Sequence, residues 1–464
     1  MVALSKYFIA IFMAVYTYES FSVFRFRGEK RQRGIYTRQV LLLFFVHFTS
    51  FLTICIETGD LQYLFFYAFQ QLAVFAVIVL SELIYPTANK LVVNNMCMLL
   101  VIGFIMLTRL DLGRAVRQFV IVLVSIAAAM CVPWLLKRFR EIKDISWLYA
   151  LLGILPLGVV LILGNTTYGS KLSYSVFGLS FQPSEFIKII FVFFVAAAFY
   201  KSTSLLQVAY ATAVAGIHVL ILAASRDLGS ALIFFVTYVL MLFLATKNFW
   251  YLLLGIVGGC GASVVAYQLF GHVKNRVQAW RDPWTVIAGE GYQVAQSLFS
   301  LGRGGLFGLG LFQGAPDDIP KVERDFIFSA VAEEMGLIVA LCVIMTALSC
   351  FIMFMNIAMR MRDKFYQLIA FGIGVLYIFQ VFLTIGGVTK FIPMTGVTLP
   401  LVSYGGSSVM ATLLMFAVIE GLYIIRQDEG ATNVEQRKIK ENGQPAETAE
   451  KEETAETAET EENP

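Results

Sequence analysis

Asp325 stands where a polar, glycine-rich stretch gives way to an apolar run, and among the acids of this chain it is best placed to move a proton. The stretch, residues 289–336, reads GEGYQVAQSLFSLGRGGLFGLGLFQGAPDDIPKVERDFIFSAVAEEMG and holds six glycines between 302 and 314. A segment this polar, set between apolar runs, is costly beside a membrane unless it lines a water-filled site. An aspartate before a helix can also serve as an N-cap for orphan N–H groups. Two features point past that role. Asp325, Ser329 and Glu333 fall at i, i+4 and i+8, so a continuous helix would carry them on one face. Glu333 and Glu334 would lie about 12 Å below Asp325 at 1.5 Å per residue. Carboxylates at such depth face a cavity or a partner, so a cavity running from the loop into the membrane is expected.

Cations that could meet an anionic ligand are few. Glu185 and Lys188 stand i, i+3 apart after Pro183, which suits the first turn of a helix. The pair reads either as a self-satisfied ion pair or as a substrate site whose lysine meets a phosphate as a point charge. Arg276 and Arg281 lie in NRVQAWRDPW, beside Trp280 and Trp284, whose natural place is a membrane interface. The glycines of LGRGGLFGLGLFQG are no phosphate loop, because no Lys-Ser/Thr follows at the required spacing. They permit irregular backbone and close approach beside a long apolar ligand. A second stretch, KFIPMTGVTLPLVSYGGSS (390–408), has two prolines and a Gly-Gly turn and reads as a re-entrant or surface loop opposite the first. The six cysteines sit in apolar runs without metal-ligand spacing and read as structural thiols. His47 and His218 read as packing histidines within spans.

The elements that hold these residues are membrane helices. The chain has 464 residues, 58% hydrophobic and 14% charged, with a mean hydropathy of +0.75. That excludes a soluble domain of this size. The apolar runs divide into thirteen helices, with the seventh (183–200) unusual in carrying Glu185 and Lys188 and the eleventh (326–355) beginning just after Asp325. No cleavable secretory signal is evident, so the first apolar run (4–24) is read as a span. Basic loops at 25–38, 137–143 and 360–364 mark the cytoplasmic side. The long loops 164–182, 270–327 and 386–406 then share the outer face. Residues 431–464 hold 10 acidic and 4 basic residues against 22 and 31 in the rest of the chain, and this tail is too polar to fold. Composition and spacing alone give an all-α, polytopic membrane bundle with an outward-facing polar site, for which a transporter is the default reading.

Five segments, in order, resemble the SEDS family of FtsW, RodA and SpoVE type: FQPSEFIKI (181–189), RDLGSAL (226–232), GYQVAQS…GRGGLFGLG (291–310), DFIFSAVAEEMG (325–336) and TGVTLPLVSYGGSS (395–408). The resemblance implies a ten-helix core over 91–426, three extra N-terminal helices in 1–90, and a disordered acidic cytoplasmic tail over 427–464. It implies a peptidoglycan glycosyltransferase in the bacterial cytoplasmic membrane that polymerises lipid II at the outer face, for cell shape, division or sporulation, with a class B penicillin-binding protein as partner. A lipid II flippase is the rival reading, and a scaffold is a third. Asp325 would be the catalytic base, with Glu185, Lys188, Arg276, Gln296, Ser297, Ser403 and Tyr404 binding substrate. The expected helper is a divalent cation, Mg2+ or Mn2+, with no organic cofactor and no nucleic acid. The polyprenyl tail would lie in an apolar groove open to lipid. The chain departs from the family pattern at Glu323-Arg324, where His-Thr is common, at Thr384, where asparagine is common, and at Lys390, where glycine is usual.

Overall fold

The computed structural model describes residues 2–26, 28–138, 141–167, 170–176, 179–289 and 291–442. The chain begins with α1 (Val2–Arg25), α2 (Glu29–Thr58) and α3 (Gln62–Ile84). Next come α4 (Lys90–Leu110), α5 (Leu112–Arg138) and α6 (Ser146–Leu163). Three short strands, β1 (Asn165–Thr167), β2 (Ser170–Val176) and β3 (Leu179–Phe181), form a small antiparallel sheet in the order β1-β2-β3. The bundle resumes with α7 (Pro183–Phe199), α8 (Leu205–Ala224), α9 (Leu228–Thr246) and α10 (Phe249–Leu269). Two shorter helices follow, α11 (Gly271–Arg281) and α12 (Tyr292–Gly304). The last four are α13 (Ile327–Glu334), α14 (Gly336–Arg360), α15 (Lys364–Val388) and α16 (Gly406–Asn442).

Polar caps set several helix starts. Asn89 accepts from the N–H groups of Leu91 and Val92 at the head of α4, and Asp227 accepts from Ser230 N–H at the head of α9. Each satisfies donors that the helix cannot. The bundle is built around α4, whose apolar stretch is 94% buried, against none for α10. The outermost helix, α10, packs on α9 and α11, and its apolar exterior suits lipid rather than water.

Twelve helices among the described residues are long and apolar enough to cross a membrane, where thirteen are expected. The one that falls short is α7. Its 17 residues span only about 25 Å against a hydrocarbon core of about 30 Å. The expected eleventh span also differs, being broken into α13 and α14 at Gly336, whose φ is 91°. The tail expectation is corrected in part: α16 continues to Asn442, so 427–442 is helical, while residues 443–464 lie outside the described residues. The three N-terminal helices are no loose appendage. Helix α1 packs along α2 and α14, and α2 packs on α4.

The segment after α15 dips back into the bundle. A side-chain carbon on Gly103, two turns inside the end of α4, would lie 2.8 Å from the carbonyl of Val402 and 2.9 Å from that of Leu401. The re-entrant reading of this segment therefore holds, and Gly103 is where its backbone meets α4.

Candidate active site

Asp325 is not an N-cap. Phe326 occupies that position, and Asp325 sits in the turn before α13. Its backbone surroundings are fixed by the re-entrant segment. Tyr404 N–H donates to the Glu323 carbonyl at 2.8 Å, and the Ser403 hydroxyl donates to the Arg324 carbonyl. Gln118 of α5 ties Ser403 in turn, donating to its carbonyl at 3.1 Å. From the other side comes Arg276 of α11, which donates to the Thr395 carbonyl at 2.9 Å. The two side chains meet at Gly396, an exposed glycine with φ 75°. A carbon added there would lie 3.5 Å from Arg276 Nη2 and 3.9 Å from Asp325 Oδ2. Acid and guanidinium thus border one open notch. Burial raises Asp325 above the usual carboxylate range, against a hydrogen bond from its own backbone and the charges of Arg276, Arg324 and Lys321, which lower it. Burial and the nearby cations thus pull this carboxyl in opposite directions.

A second group abuts the same segment. Lys188 is buried, 2.6 Å from Glu185 and 2.7 Å from Gln380 Oε1. Gln380 donates to the Thr398 carbonyl at 3.0 Å, and Thr384 donates to that of Val397 at 3.0 Å. Asp227, facing Ser184 and Gln182 at 3.4 Å, is raised chiefly by burial, and the nearby charge of Glu185 adds to this. Arg226, exposed and at φ 63°, acts with Arg276 on His272, which is lowered first by burial and then by these two cations. Basic groups from α11, from the start of α9 and from the turn before α13 therefore converge near the notch.

The remaining expected residues fall into two sets. Gln296 is half-buried on α12, and Tyr404 is half-buried on the re-entrant segment. Ser297 is fully buried and faces protein, 2.8 Å from Ser329 and 2.9 Å from the Val388 carbonyl. Ser403 is also buried, and its hydroxyl accepts from Leu399 N–H besides holding Arg324. These serines position backbone.

The expected cavity below Asp325 is corrected. Both acids meet partners instead: Glu334 pairs with Arg109 in the last turn of α4 at 2.8 Å, and Glu333 lies 3.6 Å from Arg303 of α12. Glu333 accepts from Ala315 N–H at 3.1 Å. The three-residue face is reduced to two, since Asp325 lies in the turn before α13 while Ser329 and Glu333 both face α12. The glycines serve this packing. Leu309 and Gly310 N–H donate to the carbonyls of Glu333 and Glu334, each at 2.9 Å. A carbon on Gly308 would strike the Glu334 carbonyl at 2.2 Å. Gly304 and Gly308 make their close approach to α13, while Gly302 and Gly305 face open space.

The departures have local explanations. Glu323 pairs with Arg114 of α5. Lys390 holds a left-handed turn, φ 59°, that glycine adopts without strain. Trp280 is half-buried, and its indole N–H donates to the Lys390 carbonyl at 3.1 Å. Trp284 is exposed and packs against Phe299. An apolar groove of about 570 Å³ lies between α9 and α10, lined by Phe235, Val239, Gly255 and Gly259 among others. Its walls lead to the two sides of the site, α9 starting after Asp227 and α10 running into α11 with Arg276. Spacing missed Arg109, Arg114, Asp227 and Gln380. Their partners lie far away in sequence, and only the RDLG match touched one of them.

Comparisons relate this chain to known proteins. A family model, FTSW_RODA_SPOVE, described as cell cycle protein, matches residues 89–427. The peptidoglycan glycosyltransferase RodA of Mycobacterium tuberculosis is 32% identical over 363 residues, covering 72% of this chain and 77% of the relative. A probable peptidoglycan glycosyltransferase FtsW of Aliivibrio salmonicida is 30% identical over 305 residues, covering 62% of this chain and 76% of its own. Among solved structures, a chain of a peptidoglycan synthase complex that coordinates polymerization and crosslinking aligns with TM-score 0.63 at 22% identity, over 74% of this chain and 98% of that one. Thermus thermophilus RodA aligns with TM-score 0.54 at 22% identity, over 72% and 96%. At that identity the structures share the fold.

Proposed function

The chain belongs to the FtsW/RodA/SpoVE family and is a multi-pass membrane peptidoglycan glycosyltransferase, and from that premise we propose that Asp325 is its general base. The substrate is lipid II, at the outer face of the bacterial cytoplasmic membrane, with the C-terminus inside. The 4-hydroxyl of the acceptor sugar attacks the anomeric carbon of the donor. A new C–O bond forms as the bond to the lipid diphosphate breaks, and the hydroxyl proton passes to Asp325. One carboxylate acting on the attacking oxygen is the base half of an inverting displacement.

The observation that carries this reading is the shared notch at Gly396, with the acid on one side and Arg276 on the other. The diphosphate leaves with negative charge, and Arg276, Arg324 and Lys321 supply a preset positive field. Lys188 contributes by bracing Gln380 and the re-entrant segment. Among the described residues no three His, Cys, Asp or Glu side chains converge as a metal cage. A Mg2+ ion arriving with the diphosphate needs only one or two carboxylates and water besides, so the single carboxylate at the notch, Asp325, fits the lower limit of that form of binding. The α9–α10 groove suits the polyprenyl chain, and a class B penicillin-binding protein would crosslink the product.

The test is polymerisation of purified lipid II by the reconstituted protein, with its transpeptidase partner, read as glycan strands on a gel. Wild type is expected to give strands and Asp325→Ala none. Movement of labelled lipid II across liposomes without any strand formation would favour the flippase instead.

A further inference from the structure

The geometry points to the first helix, outside the family-matched 89–427, as a positioning element for the catalytic segment. Lys6 and Tyr7 of α1 clamp the glycine turn that carries α13 and, through it, Asp325. The inference rests on the role of Asp325 proposed above.

Helix α1 is anchored first in the bundle. Tyr16 and Ser20 donate to Asn95 Oδ1 of α4 at 3.0 and 3.1 Å, and Asn95 donates to Ser349 of α14 at 3.1 Å. Gln39 of α2 donates to Ser20 at 3.0 Å and accepts from Asn94 at 3.0 Å. Buried polar networks of this kind fix one register, because sliding either helix would leave several groups unpaired. With α1 so fixed, its first turns reach the active-site end. Lys6 Nζ donates to the Gly308 carbonyl at 3.0 Å, across 302 residues, and the Tyr7 ring packs on Phe307 at 5.0 Å.

The clamped turn is the one stitched to the helix break. Leu309 and Gly310 bond to the carbonyls of Glu333 and Glu334, while Leu337 and Ile338 N–H donate to Gly305 and Leu306 at 3.0 and 3.1 Å. Helix α13 has only eight residues, and Asp325 lies just before its start. A turn held at one end of so short a rigid element sets where the carboxylate at the other end points. Lys6 is thus a positioning residue that acts through Gly308.

The experiment uses the full-length protein in lipid with its transpeptidase partner and purified lipid II. Lys6→Met is expected to lower kcat about tenfold with KM unchanged, the signature of misplacement rather than lost binding. Backbone hydrogen exchange over 304–314 should rise in the same variant, and Lys6→Arg should restore both. Wild-type kcat and exchange in Lys6→Met would overturn the inference. So would a kcat loss that arginine does not rescue and that tracks a lower thermal unfolding midpoint. A wild-type protein that makes no glycan would contradict the polymerase reading instead, and the exchange comparison would still decide the clamp.

Discussion

Arg109 and Glu334 form a buried ion pair across 225 residues, with the arginine Nε 2.8 Å from one carboxylate oxygen and 3.0 Å from the other. The same guanidinium reaches Asp317 at 2.8 Å and the Gly314 carbonyl at 3.3 Å. One side chain from α4 therefore holds both the end of α13 and the loop that leads to Asp325.

Removing one partner of such a pair strands a buried charge, at a cost of about 3–5 kcal/mol. Arg109→Met is expected to lower the thermal unfolding midpoint sharply. Adding Glu334→Gln should recover part of the loss, since the remaining group is then neutral. A single variant as stable as wild type, read by unfolding in detergent, would contradict the pairing.

The pH dependence of the rate follows from the raised Asp325. A base works deprotonated, so the rate falls as pH drops through its folded pKa. Burial lifts that pKa, and the acid limb should lie above the value of about 4 usual for aspartate. Arg276 favours the charged form. Arg276→Met should therefore move the limb to higher pH, and a limb that stays in place or moves down would refute the coupling.

Two glycines 6 positions apart should behave oppositely. Gly308 has φ 77° and no room for a methyl group, so Gly308→Ala should destabilise by about 2–4 kcal/mol from overpacking and left-handed strain. Gly302 lies inside α12 with nothing within 4 Å of an added carbon. There alanine should stabilise by about 0.5–1 kcal/mol through lower chain entropy. Equal effects would mean that the turn is not packed as described.

Much of this was legible from local pattern. The apolar runs gave an all-helical bundle, and the i, i+3 spacing after Pro183 gave the Glu185–Lys188 pair. The run of apolar residues from 335 onward hid the break at Gly336, because hydrophobicity continues across it while the backbone does not. The carboxylates at 333 and 334 looked like cavity acids because their partners, Arg109 and Ala315 N–H, come from distant or irregular segments. Charge pairs of that separation leave no period in a sequence. The notch at Gly396 depends on three segments meeting, and only the family motifs hinted that they do.

The most direct measurement is the rate of glycan bond formation by Asp325→Asn at saturating lipid II, taken with the affinity for lipid II. Asparagine keeps the shape and removes the basic oxygen. The account predicts a fall of about 10²–10⁴-fold with affinity and unfolding midpoint retained. Turnover near the wild-type rate would contradict it.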